Sequence, residues 1–112
     1  MGQDIEDFIF NECIKYLGKY PSTKKKLIEF IKKKIRNKKI YIEKIDKDIF
    51  IEKIIEKLDN LKIINESNYL ESMFNYYQKS FFSIRKIKNK LYQKGFDEKK
   101  IDEHISIQLQ ED

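Results

Sequence analysis

The sequence predicts an all-α protein on three observations. Apolar residues recur every three or four positions along six segments, the spacing that places them on one face of a helix. The chain has only three glycines and one proline, too few for the tight turns of an all-β domain. No alternation of polar and apolar residues is long enough to form a sheet. With 112 residues, the chain has the length of a single domain, residues 1–112.

The first three helices are each marked by an apolar stripe. The stripes consist of Ile5, Ile9, Cys13 and Leu17, then Leu27, Ile28, Ile31 and Ile35, then Ile51, Ile54, Ile55, Leu58 and Leu61. The single proline separates the first two helices because it disfavours helix in the preceding residue, and Ser22 or Thr23 can cap the second. Residues 36–45 lack a clean period and predict a loop or a fraying helix end. The third helix is expected to begin at Asp46 or Asp48.

The last three helices have stripes of the same kind. Their apolar residues are Tyr69, Leu70, Met73, Phe74 and Tyr77, then Ile84, Ile87 and Leu91, then Ile101, Ile105 and Leu109. Asn65 and Ser83 are suitable caps for the fourth and fifth helices, and Asp97 marks the start of the sixth. Gly95 ends the fifth helix, as glycine commonly does after a helix C-terminus.

The six helices are interpreted as two copies of one three-helix repeat. An offset of 60 residues aligns the start of the second helix with the start of the fifth. It pairs Thr23, Lys25, Lys26, Leu27, Ile31 and Lys34 with Ser83, Arg85, Lys86, Ile87, Leu91 and Lys94, respectively. The offset drops to 50 where the third helix aligns with the sixth. We therefore predict a first repeat over residues 4–62, with an inserted loop at about 36–45, and a second repeat over residues 65–110. A three-helix unit covers its own apolar face poorly, so the two copies are expected to stack into a short elongated solenoid.

Positive charge is concentrated on two segments. The chain has 24 lysines and arginines against 19 acidic residues, a net charge of +5. Residues 22–41 have a net charge of +8 and residues 79–100 one of +6, whereas residues 1–21, 42–78 and 101–112 are each net acidic. The second helix of each repeat is therefore the basic one. Like charges three or four residues apart destabilise a helix, so this arrangement indicates an acidic partner, either DNA or an acidic protein surface.

Codon composition offers a second explanation for the lysines. Only Arg36 and Arg85 are arginine, and the chain is rich in residues with AT-rich codons, such as isoleucine, lysine and asparagine. Lysine-rich helices could then simply be solvated. A codon bias would spread lysine evenly along the chain, however, so we favour the functional interpretation of its segregation.

No combination of residues in the sequence indicates catalysis. The glycines, at positions 2, 18 and 95, are too dispersed for a phosphate-binding loop. His104 lacks the clustered partners of a metal site, and Cys13 lies on an inward stripe as a small apolar filler. Tyr76 and Tyr77 could stack on bases, although their spacing beside other apolar residues puts at least one in the core. We expect no enzyme activity, catalytic residue, cofactor or metal.

The sequence favours a cytoplasmic protein. Its apolar runs are too short to cross a bilayer, so no membrane partner is expected. The acidic N-terminal residues do not predict a secretory signal. Cys13 is the only cysteine, which excludes an intramolecular disulfide and favours a reducing compartment.

Three stretches of the chain match a known family in order and spacing. Residues 51–70 (IEKIIEKLDNLKIINESNYL) are similar to a helix that ends in a Leu-Gly-Leu/Tyr-Leu-Asp-Asp turn. Residues 83–97 (SIRKIKNKLYQKGFD) are similar to a Gly-Pro-x-Arg-Ile-x-x-x-Leu-x-x-Lys-Gly-Ile/Phe segment, and residues 16–27 to a Tyr-Leu…Ser-x-x-Glu-Leu opening. In these features the chain resembles the RecX regulators of the bacterial recombinase RecA. Lys62 occupies the position of the family's turn glycine, and Ser83 that of its proline.

The resemblance implies a monomer that binds in the groove of the filament formed by RecA on single-stranded DNA. Such proteins modulate the recombinase, usually by inhibition, in DNA repair, recombination and the SOS response. The implied contact with DNA is non-specific and made to phosphates. The expected binding face consists of Lys24, Lys25, Lys26, Arg85, Lys86, Lys88, Lys90 and Lys94, on a common side of the molecule. The family's usual third three-helix repeat is expected to be absent.

Two other classes of protein remain open. A helix-turn-helix protein would place a basic third helix of each unit in the major groove. The third and sixth helices here are acidic, with Glu52, Glu56 and Asp59 on one and Asp102 and Glu103 on the other. A helical adaptor for a protein partner would need no nucleic acid, and binding to plain single-stranded DNA at low salt would distinguish it from the other two classes.

Overall fold

Six α-helices make up the described part of the chain. The computed structural model describes residues 2–110, so the ends of the predicted domain 1–112 lie outside the described residues. The helices are α1 (Gly2–Lys19), α2 (Lys24–Asn37), α3 (Lys44–Asn60), α4 (Glu66–Lys79), α5 (Ile84–Gln93) and α6 (Glu98–Gln110). No strand occurs within residues 2–110, and the prediction of an all-α protein is confirmed. None of the described helices has both the length and the apolar character that a bilayer crossing requires.

The chain divides into two compact units, each with its own hydrophobic core. Met1–Asn65 form the first unit, with α1 to α3, and Glu66–Asp112 form the second, with α4 to α6. The first core includes Ile9, Leu27, Ile31, Ile54 and Leu58, and the second includes Leu70, Phe74, Ile87, Leu91 and Ile101. These residues belong to the predicted stripes, so the inward face of each helix follows from its periodicity.

The two basic helices begin with predicted side-chain caps. Thr23 Oγ1 accepts a hydrogen bond from the backbone N–H of Lys26 at 3.2 Å, and Ser83 Oγ accepts one from the backbone N–H of Lys86 at 3.2 Å. Each bond satisfies one of the amide groups that have no partner within the first turn of a helix. Thr23 is fully buried whereas Ser83 is exposed, so the first cap is also part of the packed interior.

Four helices end in the same backbone motif. The residue two positions after each helix has a positive φ, which is 54° at Lys39, 58° at Lys62, 63° at Phe81 and 98° at Gly95. The N–H groups of this residue and of the next one donate to carbonyls of the last helical turn, the pattern of a Schellman motif. The residue that follows is apolar in every case: Ile40, Ile63, Phe82 or Phe96. Gly95 thus ends α5 as predicted.

The connection between α2 and α3 is shorter than the loop expected at residues 36–45. Helix α2 continues to Asn37, and α3 begins at Lys44, before both of the aspartates proposed as its start. Glu43 occupies the N-cap position without a side-chain hydrogen bond to the first turn. The beginning of α3 therefore lacks a side-chain cap of the kind that Thr23 and Ser83 provide. Such residues predict the starts of α2 and α5 from the sequence, and α3 has none.

Three apolar residues assigned to the buried stripes are exposed instead. The exposed fraction is 58% for Leu61, 60% for Leu109 and 37% for Ile84. Each lies at a helix end, where periodicity alone does not decide which side chains are covered by a neighbouring helix. Ile64 and Phe96, which lie in connections between helices, are buried.

Candidate nucleic-acid interface

The predicted binding face is divided between the two units. Lys24, Lys25 and Lys26 belong to α2, Arg85, Lys86, Lys88 and Lys90 belong to α5, and Lys94 follows α5 directly. The exposed members are Lys25, Lys26, Arg85 and Lys86, and the half-buried members are Lys24, Lys88, Lys90 and Lys94. Within each unit, the apolar stripe of the basic helix faces the core, so the cations lie on its outer side.

The basic helices differ from the other four helices in their first turns. Helices α1, α3, α4 and α6 each have an acidic residue there: Asp4, Asp46, Glu66 and Glu98. Helices α2 and α5 have none, and their first turns contain Lys24, Lys25 and Lys26 or Arg85 and Lys86. A helix N-terminus carries about half a positive charge, so cations reduce stability there while anions bind favourably. The first turns of α2 and α5 therefore suit phosphate groups.

Two lysines of the predicted face are paired with aspartates of the third helix in their own unit. Lys24 Nζ lies 3.3 Å from Asp59 Oδ2, and Lys88 Nζ lies 2.7 Å from Asp102 Oδ1. The hydrogen bond to Asp102 raises the pKa of Lys88. Because these pairs are partly exposed, they orient the side chains but contribute little to stability. Lys24 and Lys88 thus present less net positive charge to a partner than the sequence pattern indicates.

Arg85 and Lys86 keep their charge available at the start of α5. Within residues 2–110, neither side chain makes an ion pair. The Nζ atom of Lys86 lies 4.1 Å from the ring centroid of Phe82, and that of Lys90 lies 5.7 Å from the same centroid. Cation–π contacts of this kind position an ammonium group without neutralising it. The start of α5 is therefore the most cationic part of the second unit's predicted face.

The site predicted from the sequence did not include the aromatic residues that lie next to these cations. The ring of Phe82 stacks on that of Tyr77, with centroids 5.7 Å apart and an interplanar angle of 19°. A signal for Phe82 was present in the sequence, since it directly precedes the predicted cap Ser83, a position from which an apolar residue commonly packs back onto the helix. Phe81 is 95% exposed, which no local pattern indicates.

The two adjacent tyrosines have different environments, as the sequence predicts. Tyr77 is buried in the second core, and this burial raises the pKa of its hydroxyl. Tyr76 is 62% exposed. The expectation that at least one of the pair lies in the core is therefore confirmed, and Tyr76 is the one that is accessible.

Cys13 and His104 each lie against the interior of a unit. Cys13 is fully buried, as predicted, and burial raises the pKa of its thiol to about 12, so it is un-ionised at neutral pH. His104 is half-buried with its ring edge-on to Phe74, at 5.0 Å between centroids. Within residues 2–110, no group of three histidine, cysteine or carboxylate side chains is arranged to hold a metal ion.

No family model, curated protein or solved structure matches this chain. The two basic first turns and the aromatic residues before α5 are accordingly the features that support a functional proposal.

Proposed function

We propose that this protein is a RecX-like regulator, a cytoplasmic monomer that binds the RecA–single-stranded DNA filament and modulates the recombinase, most often by inhibition. It acts by binding and not by catalysis. The observation that carries the proposal is the charge of the first helical turns. Among the six described helices, only the second helix of each unit has cations and no carboxylate in its first turn, the place where folding disfavours cations.

The proposal includes a tandem repeat, in which the two units are copies of one three-helix element. Their basic helices share a hydroxyl cap, at Thr23 and Ser83, that accepts a hydrogen bond of the same length from a lysine amide. In each unit a lysine of the basic helix pairs with an aspartate of the third helix. The shared cap supports descent of both units from a single repeat; the two ion pairs do not, because the offset of 60 residues aligns Lys24 with Ile84 and Lys88 with Ile28.

The turn after α3 supports the resemblance to the RecX family. Lys62 occupies the family's glycine position, and its φ of 58° lies in the left-handed region that glycine adopts most readily. Lys62 thus has the backbone conformation that a glycine at this position would adopt, although the residue type differs. Gly95, which the matching Lys-Gly segment includes, also has a positive φ.

The mechanism follows from attraction between basic helices and DNA phosphates. Lysine and arginine contacts with phosphate release counterions, so the affinity is independent of base sequence and falls steeply with salt. A protein bound along the filament in this way would occupy phosphates and subunit surface that the recombinase needs, which accounts for modulation without chemistry.

A sequence-reading helix-turn-helix protein is the weaker alternative. The third helix of each unit, which would enter the major groove, has exposed carboxylates on Glu52, Glu56 and Asp59 or on Asp102 and Glu103. These groups would repel the phosphates on either side of the groove. A helical adaptor for a protein partner is the other alternative, and its binding would not require the first-turn cations.

Charge reversal at the start of α5 tests the proposal. The variant Arg85→Glu/Lys86→Glu should keep the fold, because Ser83 followed three residues later by glutamate forms a capping box and acidic residues suit a helix N-terminus. We expect it to lose at least tenfold in affinity for RecA filaments and to lose its effect on their ATPase activity. The titration is made at two salt concentrations.

The matched control is Lys47→Glu/Lys99→Glu, which makes the same change in net charge near the starts of α3 and α6. This control should bind the filament much as the unaltered protein does, with a small uniform loss from its lower net charge. Equal affinity of both double variants for the filament would reject the proposal. Binding to RecA filaments that is insensitive to salt would favour the adaptor instead.

A further inference from the structure

Phe81 combines a fully accessible aromatic ring with a left-handed backbone conformation. It lies in the turn between α4 and α5 with 95% of its surface exposed, and its φ of 63° is in the left-handed region. A large side chain is disfavoured in that conformation. Because the aromatic ring stays in contact with water, it contributes no hydrophobic stabilisation to the fold. The equivalent position after α5 is occupied by Gly95, the residue type that suits such a turn.

The turn fixes the backbone from which the ring of Phe81 extends into solvent. Its N–H donates to the carbonyl of Gln78 at 3.0 Å, and the N–H of Phe82 donates to the carbonyl of Tyr77 at 3.3 Å. Phe82 is anchored on the second core by its stacking on Tyr77. The backbone on the C-terminal side of Phe81 is thus tied to the core, while the Phe81 ring itself faces solvent.

Several of the residues that follow Phe81 along the chain are cations. Phe82, the next residue, lies beneath the ammonium group of Lys86 at 4.1 Å, and Arg85 is exposed on the same first turn of α5. Residues 79–100 contain eight basic and two acidic residues, a net charge of +6. An accessible aromatic face beside phosphate-binding cations is the combination by which proteins bind single-stranded nucleic acids.

We propose that Phe81 stacks on an unpaired base of single-stranded DNA while Arg85 and Lys86 bind the adjacent phosphates. The inference rests on the proposed contact with single-stranded DNA. It adds a residue, Phe81, through which the protein would distinguish single-stranded from duplex DNA. Bases in a duplex are stacked on one another and offer no free face. A hydrophobic pocket in a protein partner would accept Phe81 equally well, but it would not require the two cations next to the ring.

The test uses the full-length protein and a fluorescently labelled oligothymidylate, without recombinase, and measures binding by anisotropy. Phe81→Leu keeps apolar bulk but removes the aromatic face, and Phe81→Trp keeps the face. Because only Phe81→Leu loses the face on which a base stacks, we expect it to weaken binding roughly tenfold and Phe81→Trp to preserve binding. The salt dependence should be the same in both variants because no phosphate contact changes.

The matched control is Tyr41→Leu, which removes an aromatic ring that is 81% exposed in the first unit. Its affinity for the oligonucleotide should stay unchanged, and duplex DNA should bind the Phe81 variants equally. Equal affinity of Phe81→Leu and the unaltered protein for oligothymidylate would overturn the inference while leaving the filament proposal intact. Filament binding without any affinity for free single-stranded DNA would also overturn it, and a loss of filament binding in Phe81→Leu would then indicate a protein pocket.

Discussion

At the scale of single residues, the left-handed positions after helices depart most from local preference. Three of the four are occupied by Lys39, Lys62 and Phe81, where glycine would be expected. A left-handed conformation costs a non-glycine residue about 1–2 kcal/mol. The apolar residue that follows each position, such as Ile63 after Lys62, is at least half-buried, and its burial offsets this cost.

Replacing Lys62 by glycine is therefore expected to stabilise the protein. The free energy of unfolding should rise by about 1 kcal/mol, because the strain at φ 58° is removed and the exposed lysine side chain makes no ion pair within residues 2–110. The reverse change, Gly95→Ala at φ 98°, should lower it by about the same amount. Urea denaturation followed by circular dichroism measures both values. A stability loss in Lys62→Gly would show that the turn is not strained.

At the scale of helices, α2 and α5 give up stability at their N-termini. Each has a hydroxyl cap, which typically contributes about 1 kcal/mol, but places cations beside the partial positive charge of the helix. The other helices place carboxylates there, as the same physics favours. Under the proposed function, phosphate groups of the partner would neutralise the cations at these N-termini.

Stability and DNA binding should consequently change in opposite directions at Arg85. In the series Arg85, Arg85→Gln and Arg85→Glu, the free energy of unfolding is expected to rise by about 0.3–1 kcal/mol overall at low ionic strength, since the helix dipole favours an anion at that site. The affinity for single-stranded DNA should fall through the same series. Thermal denaturation and anisotropy on the same samples provide the two measurements. Parallel changes in both quantities would contradict a binding role for this first turn.

At the scale of the whole molecule, positive charge is divided between two units with separate cores. Residues 22–41 and 79–100 carry the excess, while the remaining segments are net acidic. A strand that contacts both units would be bound through the summed phosphate contacts of α2 and α5. Removal of contacts from either unit should then have additive effects on the salt dependence of binding.

The salt dependence gives a count of those contacts. For single strands, the slope of log affinity against log salt changes by about 0.7 for each phosphate contact. We expect Lys25→Gln/Lys26→Gln and Arg85→Gln/Lys86→Gln each to reduce the slope by about 1.4, and the combined variant by about twice that. Anisotropy titrations over a range of salt concentrations measure it. An unchanged slope in the α2 variant would show that only the second unit contacts DNA.

The sequence by itself determined the features that depend on neighbours along the chain. Interactions within four or five residues produce the six helices, the caps at Thr23 and Ser83, and the turn at Gly95. The segregation of charge is a property of the sequence itself. Local spacing and residue type are sufficient for these, because helix formation and capping are decided inside one or two turns. The ends of the stripes were the exception, since Leu61 and Ile84 are exposed.

Only the tertiary structure decided which charges and rings remain accessible. The partner of Lys24, Asp59, lies on another helix, and so does Asp102, the partner of Lys88, so no spacing rule identifies either pair. The exposure of Phe81 depends on how its turn is anchored through Phe82 to the core of the second unit. Periodicity assigns a residue to a face of its own helix, but coverage and pairing depend on which helices pack against that face, and this is settled only when the unit folds.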